Sequence, residues 1–344
     1  MDRSVDVSDL RSVILNSVNQ LQEKFEIHNF SGRKKAPGEY SELIVNGMGG
    51  SALPAEIILS GFFQLSDNQK LAPIFIHRSY GASRRLGENS LVVSISYSGN
   101  TEETVSAYKA SLRQGVPSIA IAAGGELIKL AQEYNQPYVV LPQPDEAFQP
   151  RYATFYMMKA LVTVLSTYGI LAEDMADRLV ENFAHLDPED FEEQGKTLAT
   201  KLHTHTPVVY STNAFSKASH IWKIKMNENA KTPCFHNNVP ELNHNEMVGF
   251  TNPQCDFSFV FLRSEAETSR NVTRLETMKT IFEERGLPVH EVRVQDHGNY
   301  LANLMAMILV GDWTAYYSAL AYGIDPTPVD LVEDFKTRLK QQSG

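Results

Sequence analysis

The sequence predicts an α/β fold of two doubly wound domains, each a parallel sheet flanked by helices. Three observations carry this. Short apolar runs alternate with helix-compatible segments, the mark of a parallel sheet covered on both faces. Two of those runs end in polar, small-residue turns that lead straight into a helix. Past residue 200 the alternation begins again.

In chain order, Asp9 to Phe25 carries Leu10, Val13, Ile14, Val18 and Leu21 at helical spacing and predicts an amphipathic helix. Gly32, Lys34, Lys35, Pro37 and Gly38 make residues 31–39 a linker or turn. Strands are expected at Leu43–Val45, Pro73–His77, Leu91–Ser94, Ser118–Ala122 and Tyr138–Leu141, with helices near 52–61, 101–114 and 125–134. Pro142-Gln143-Pro144-Asp145 closes this half, and helical runs at 152–168 and 172–183 lead onward. The second half reads as a strand at Pro207–Tyr210, a helix from Ala214 to Asn229, a strand at Phe257–Leu262, a long helix at 266–285 and a strand at Val289–Val294. The expected division is 1–150 for an N-terminal helix and the first domain, 151–195 for a helical connection, and 196–344 for the second domain with C-terminal helices.

Composition narrows the function. A chain of 344 residues is ample for two domains, and 42% apolar with 21% charged residues is that of a soluble globular protein. A formal net charge of −10 argues against nucleic acid or an anionic membrane as the partner. An anionic substrate would therefore have to be captured by local donors. Cys234 and Cys255 belong to no metal-type cluster, and reduced thiols are expected. Met1–Val7 carries no secretory pattern, and the apolar stretch 301–324, broken by Asn303, Asp312 and Trp313, suits a buried helix better than a membrane span. The expectation is a cytoplasmic protein.

The most informative stretch is Ser94-Ile95-Ser96-Tyr97-Ser98-Gly99-Asn100-Thr101-Glu102-Glu103-Thr104, entered from Leu91-Val92-Val93. It reads as strand, hydroxyl-rich turn and helix N-terminus, with no lysine. A helix N-terminus offers unpaired N–H groups and partial positive charge, and small hydroxyl side chains add donors without blocking approach. Capping is the alternative: Asn100 or Thr101 could cap the helix, with Glu103 reaching back, and two first-turn acids oppose an anion. A cap needs one such group, whereas this turn supplies Ser96, Ser98, Asn100, Thr101 and Thr104. A second turn, Asn46-Gly47-Met48-Gly49-Gly50-Ser51, follows Leu43-Ile44-Val45 and precedes another helix. Gly49 and Gly50 let backbone approach a ligand, Ser51 can cap or donate, and the third glycine of a dinucleotide fingerprint is missing. Two such turns point to one crevice at the carboxyl ends of neighbouring strands. The candidate phosphate ligands are Gly49, Gly50, Ser51, Ser96, Ser98 and Thr101.

These two motifs, with Pro240-Glu241-Leu242-Asn243-His244-Asn245-Glu246, resemble the sugar isomerase (SIS) superfamily, and in particular its bifunctional phosphoglucose/phosphomannose isomerases. The likeness runs from about residue 40 to the C-terminus. It implies two SIS-type domains with a sugar 6-phosphate at their junction. The implied reaction interconverts glucose 6-phosphate, and mannose 6-phosphate, with fructose 6-phosphate through a cis-enediol(ate). Glucose and mannose differ only at C2, which becomes planar in that intermediate.

Such chemistry asks for a base between C1 and C2, an acid/base for ring opening and cations for the enediolate, with no metal or cofactor. Glu228, in Lys225-Met226-Asn227-Glu228-Asn229, would otherwise read as a solvated helix end; the resemblance makes it the base. His244, flanked by amides, matches the family's ring-opening histidine, which comes from the neighbouring subunit of a homodimer. A metal reading of His244 with its acidic neighbours lacks a second histidine at helical spacing. Arg151 opens an apolar helix, where its own charge is slightly unfavourable, and matches the enediolate-stabilising arginine. Lys336 matches a C-terminal lysine of the site, with Lys340 as the alternative. His203, His205, His220 and His297 read as structural or exposed. Two other readings, a non-catalytic SIS module and an amino-sugar phosphate isomerase, are disfavoured by the presence of Glu228 with His244 and by the lack of a glutamine-hydrolysing part.

Overall fold

The computed structural model describes residues 2–30, 39–65, 72–145, 148–267 and 269–342, with backbone only for 62–65. The linker expected at 31–39 lies outside them, Glu39 apart. The chain forms two compact units, one of residues 16–185 and one of residues 1–15 with 186–344. The helical residues between 151 and 185 lie in the first of these units, and the helix at 10–15 lies in the second.

In the first unit all five strands are parallel, in the order β2-β1-β3-β4-β5: β1 (Glu42–Asn46), β2 (Ile74–His77), β3 (Ser90–Ile95), β4 (Ser118–Ala122) and β5 (Tyr138–Val140). Central parallel strands are covered on both faces, and so β3 and β4 are buried at every position. Helix α2 (Leu53–Leu65) links β1 to β2, while α3 (Glu102–Arg113) and α4 (Gly125–Glu133) follow β3 and β4. The chain winds outward from β1 to β2, then returns to wind the other way from β3. The β1/β3 boundary is therefore the topological switch point, where such sheets open a crevice at their carboxyl ends. The largely buried α5 (Thr154–Thr167) and the amphipathic α6 (Met175–Phe183) complete the unit.

The second unit repeats this plan with four parallel strands in the order β7-β6-β8-β9: β6 (Thr206–Thr212), β7 (Phe235–Val239), β8 (Phe257–Ser264) and β9 (Val289–Val294). Strand β7 escapes the sequence pattern because Phe-His-Asn-Asn-Val is an edge strand, and edges need no apolar run. Its helices are α1 (Leu10–Leu15), α7 (Glu192–Leu202), α8 (Ser216–Glu228), the one-turn α9 (Leu242–Asn245), α10 (Arg270–Glu283), α11 (Tyr300–Ala321) and α12 (Asp330–Gln342). Val208, Tyr210, Phe259, Phe261, Leu275 and Phe282 form one core between sheet and helix. Helix α11 is long and apolar enough to cross a membrane, yet it is buried from Leu301 to Leu320. It is the core helix that its sequence implied.

The expected helix 9–25 is α1 alone, followed by a 3-10 turn at Val18–Gln22. Leu10 and Ile14 are buried in the second unit and Leu21 in the first, so one amphipathic run serves two cores. The Asp6 carboxylate accepts from the N–H groups of Leu10 and Arg11, at 2.7 and 3.2 Å, and from the Tyr316 hydroxyl at 3.0 Å. Arg11 makes a two-pronged contact with Glu192, at 2.8 and 2.6 Å.

Candidate functional site

At the β1/β3 switch point the two strand ends are tied together. Asn46 and Ser94 are partners in register, and the buried Asn46 amide donates to the Ser94 hydroxyl at 2.9 Å. Beyond them, the Tyr97 N–H donates to Ser51 Oγ at 3.0 Å, joining the two turns directly. A serine that accepts one N–H keeps its own hydroxyl proton for a ligand. Ser51, Ser96, Ser98 and Thr101 all belong to this neighbourhood, with Ser51 and Ser96 buried, Thr101 half-buried and Ser98 exposed.

The capping alternative fails on geometry. Thr101 is the N-cap of α3 by backbone position, but its side chain makes no capping bond. Its hydroxyl lies 2.9 Å from Ser96 Oγ instead. Asn100 turns the other way, its carbonyl oxygen accepting from Glu126 N–H at the start of α4. The first N–H groups of α3 are thus not taken up by a Thr101 cap. Gly99 sits at φ +70°, and a Cβ there would lie 1.8 Å from the Gly124 carbonyl oxygen. This turn is packed against the β4–α4 turn so closely that only glycine fits.

The glycine turn has its own neighbour. A Cβ on Gly50 would lie 3.0 Å from Arg151 Cα and 3.1 Å from Arg151 N, which places Arg151 against the Asn46–Ser51 turn. Arg151 itself is buried, on the 3-10 turn Pro150–Tyr152 ahead of α5. Its guanidinium lies 4.9 Å from the Tyr152 ring centre and 3.5 Å from Gln149 Oε1. A buried arginine at this place is unlike the exposed helix-start residue that composition alone would suggest.

The remaining site candidates lie in the second unit. Glu228 is the last residue of α8 and half-buried. One turn before it, Lys225 forms a buried ion pair with Asp312 of α11 at 2.7 Å. Asn227 accepts from Cys234 N–H at 2.9 Å, and Lys231 donates to the Asp325 carbonyl at 2.8 Å. These contacts fix the helix end that carries Glu228. His244 is exposed on α9, reached directly from β7. Lys336 is exposed on α12, with its ammonium 2.7 Å from Glu333, one turn back. The structure brings Ser51, Ser96, Thr101, Gly50 and Arg151 into one neighbourhood, and holds Glu228 and His244 in the other unit.

Sequence reasoning left out two polar groups. Glu56, in the first turn of α2, is buried and paired with the half-exposed Arg78 that follows β2. Glu246 is bonded to Tyr210 and Asn237. A signal for Glu246 existed, since it closes the Pro240–Glu246 motif; Glu56 sits in a helical run that hides it. Among the described residues no group of three or more His, Cys, Asp or Glu side chains is placed to hold a metal ion.

Comparison with known proteins identifies the family. The family model for the bacterial phospho-glucose isomerase C-terminal SIS domain matches residues 191–339. A bifunctional phosphoglucose/phosphomannose isomerase of Aquifex aeolicus is 32% identical over 307 residues, covering 88% of this chain and 92% of that protein. One of the same name from Caldicellulosiruptor bescii is 31% identical over 342 residues, covering 95% and 98%. The solved C-terminal domain of glucosamine-fructose-6-phosphate aminotransferase from Francisella tularensis shares the fold, with a TM-score of 0.69 at 13% identity over 94% of this chain and 97% of that one. With identity above 30% along nearly the whole length and the motifs in place, the chain belongs to the bifunctional phosphoglucose/phosphomannose isomerase family.

Proposed function

We propose that the protein is a cytoplasmic, homodimeric aldose–ketose isomerase that interconverts glucose 6-phosphate and mannose 6-phosphate with fructose 6-phosphate. The observation that supports this is the pair of turns at the β1/β3 switch point, where Ser51 accepts from the Tyr97 N–H, Thr101 leaves α3 without a side-chain cap and the buried Arg151 lies against Gly50. Fixed donors of this kind suit a phosphate dianion. The names of the relatives supply the rest of the substrate.

In this reading Ser51, Ser96, Ser98 and Thr101, with backbone N–H groups at Gly49 and Gly50, hold the phosphate. His244 of the partner subunit opens the sugar ring. Glu228 takes the proton from C2 of the open aldose and returns it to C1, while a proton moves from O2 to O1 to give the ketose. One carboxylate serves both carbons because a cis-enediol presents them on the same face. Arg151 and Lys336 offset the negative charge that develops on the enediolate oxygens. No metal or cofactor takes part.

The test is a coupled assay for fructose 6-phosphate from each aldose, on the native protein and on Glu228→Gln. Both aldoses are expected to be converted. Glu228→Gln is expected to abolish turnover while still binding a linear sugar-acid phosphate. Conversion of neither aldose, or full activity in Glu228→Gln, would refute the reading.

A further inference from the structure

His244 stands on a single helical turn, which is too short to hold itself in place. Two anchors flank it. Leu242 is fully buried in the core of the second unit, among Tyr210, Val239 and Phe259. Two residues after His244, the Glu246 carboxylate accepts from the Tyr210 hydroxyl on one oxygen and from the Asn237 amide on the other. These donors are not arbitrary: Tyr210 on β6 and Asn237 on β7 are partners in register. The carboxylate therefore reads the edge pair of the sheet with both oxygens, and the His244 turn is pinned to that pair.

Simple loop stability would be served by one hydrogen bond to the backbone. Two charge-assisted bonds to two strands instead fix position and direction together. Asn245 is tied separately, donating to Glu241 Oε1 at 2.8 Å, which closes the turn on the other side. Asn243, Asn245 and Glu246 are each held by a side-chain hydrogen bond, and His244 stands exposed among them.

We infer that Glu246 is a positioning residue for the ring-opening histidine, acting through the Tyr210–Asn237 pair. The inference rests on the proposed role of His244. Ring opening moves the proton of the C1 hydroxyl to the ring oxygen as the C1–O5 bond breaks, leaving an aldehyde and a C5 hydroxyl. An imidazole must reach both oxygens, and so its placement matters more than its presence.

The experiment measures ring opening apart from isomerisation. Exchange between the α and β anomers of glucose 6-phosphate is followed by NMR, with Glu228→Gln as the background so that no ketose forms. His244→Asn, Glu246→Ala and Glu246→Gln are compared in that background, with urea midpoints and the affinity for a linear sugar-acid phosphate measured alongside. Glu246→Ala is expected to slow protein-catalysed exchange by about tenfold or more, since misplacement by an ångström can cost two decades, with affinity for the linear analogue unchanged. Glu246→Gln should recover most of the rate, because its amide can still serve Tyr210 and a flipped Asn237. Should Glu246→Ala not fold, Asn237→Ala removes one of the two donors and is expected to give a smaller loss of the same kind. Exchange that is lost in His244→Asn but kept in Glu246→Ala, or in Asn237→Ala where that stands in for it, overturns the inference alone. Equal loss in Glu246→Ala and Glu246→Gln overturns it too, because charge and not placement would then be at work. Exchange that survives His244→Asn overturns the histidine reading and this inference with it.

Discussion

Gly99→Ala tests whether the hydroxyl-rich turn is shaped by its contact with the β4–α4 turn. Gly99 has φ +70° and a would-be Cβ 1.8 Å from the Gly124 carbonyl oxygen. Gly115, after α3 in the same unit, has φ +69° with nothing within 4 Å. An alanine at Gly115 meets only the left-handed backbone cost, roughly 1–2 kcal/mol. At Gly99 the same cost applies, and the β4–α4 turn must also retreat by about 1.5 Å to reach ordinary contact. Overpacking of that kind adds about 1–3 kcal/mol, and the total is about 2–5 kcal/mol. The retreat would also carry Ser98 and Asn100, since Asn100 is bonded to Glu126 across this contact. KM for glucose 6-phosphate and fructose 6-phosphate should therefore rise in Gly99→Ala and stay near the native value in Gly115→Ala. Both tryptophans, Trp222 and Trp313, lie in the second unit, so urea unfolding should be followed by far-UV circular dichroism and not by indole fluorescence. Equal destabilisation of the two variants, or an unchanged KM in a folded Gly99→Ala, would refute the packing argument.

Three further outcomes follow from contacts elsewhere. Lys225→Met or Asp312→Leu alone strands a buried charge and should cost about 3–5 kcal/mol, whereas the double variant should recover much of it; a double variant as unstable as the sum in urea melts would contradict this. At pH 8 iodoacetamide should label the exposed Cys255 and spare Cys234, whose thiol is pushed up to about 12 by burial against a weak opposing pull from Lys223; mass spectrometry of the native protein reads this directly. Burial alone would raise the Glu192 carboxyl, but Arg11, Tyr317 and Arg3 outweigh it and hold it low. A depressed acid contributes stability above its unfolded value of about 4.3 and loses it as pH falls through the folded one. Protection of residues 2–15 against hydrogen exchange, corrected for the intrinsic rate at each pH, should accordingly fall in acid below that value, and Glu192→Gln should show the loss already at pH 6.

Much of the fold was legible because parallel strands advertise themselves. Leu91–Ile95 and Ser118–Ala122 are uniformly apolar or small, as strands buried on both faces must be. What stayed hidden has physical reasons. Strand β7 lies at an edge and carries His236, Asn237 and Asn238, so no apolar signal marks it. The run 9–25 has one period but two destinations, and no local pattern says that a chain changes domain at Asn16. In the site, the turns themselves could be read, but not the division of labour within them. That Thr101 turns toward Ser96 while Asn100 serves α4 depends on where a turn 26 residues further along the chain happens to pack. Glu246 belonged to a recognised motif, yet its two partners come from strands 36 and 9 residues away in sequence.

The proposed phosphate site raises the question of how an acidic protein would hold a dianion. The chain carries −10 overall, and Glu102 and Glu103 stand in the first turn of α3. A general positive field is therefore not the attraction. The turns carry no lysine either, and Arg151 is packed against them through its backbone beside Gly50. Affinity must then come from donors that are already aimed. Their aim is set by bonds that involve no ligand: Tyr97 N–H to Ser51, Asn46 to Ser94, Ser96 with Thr101. Fixed dipoles need not reorganise when a dianion arrives, so they can replace its water without a net charge of their own. An added surface lysine would strengthen long-range attraction but would supply none of this geometry. For the same reason, binding here should depend only weakly on salt compared with a site made of exposed lysines, whose attraction is screened over about 8 Å at physiological ionic strength.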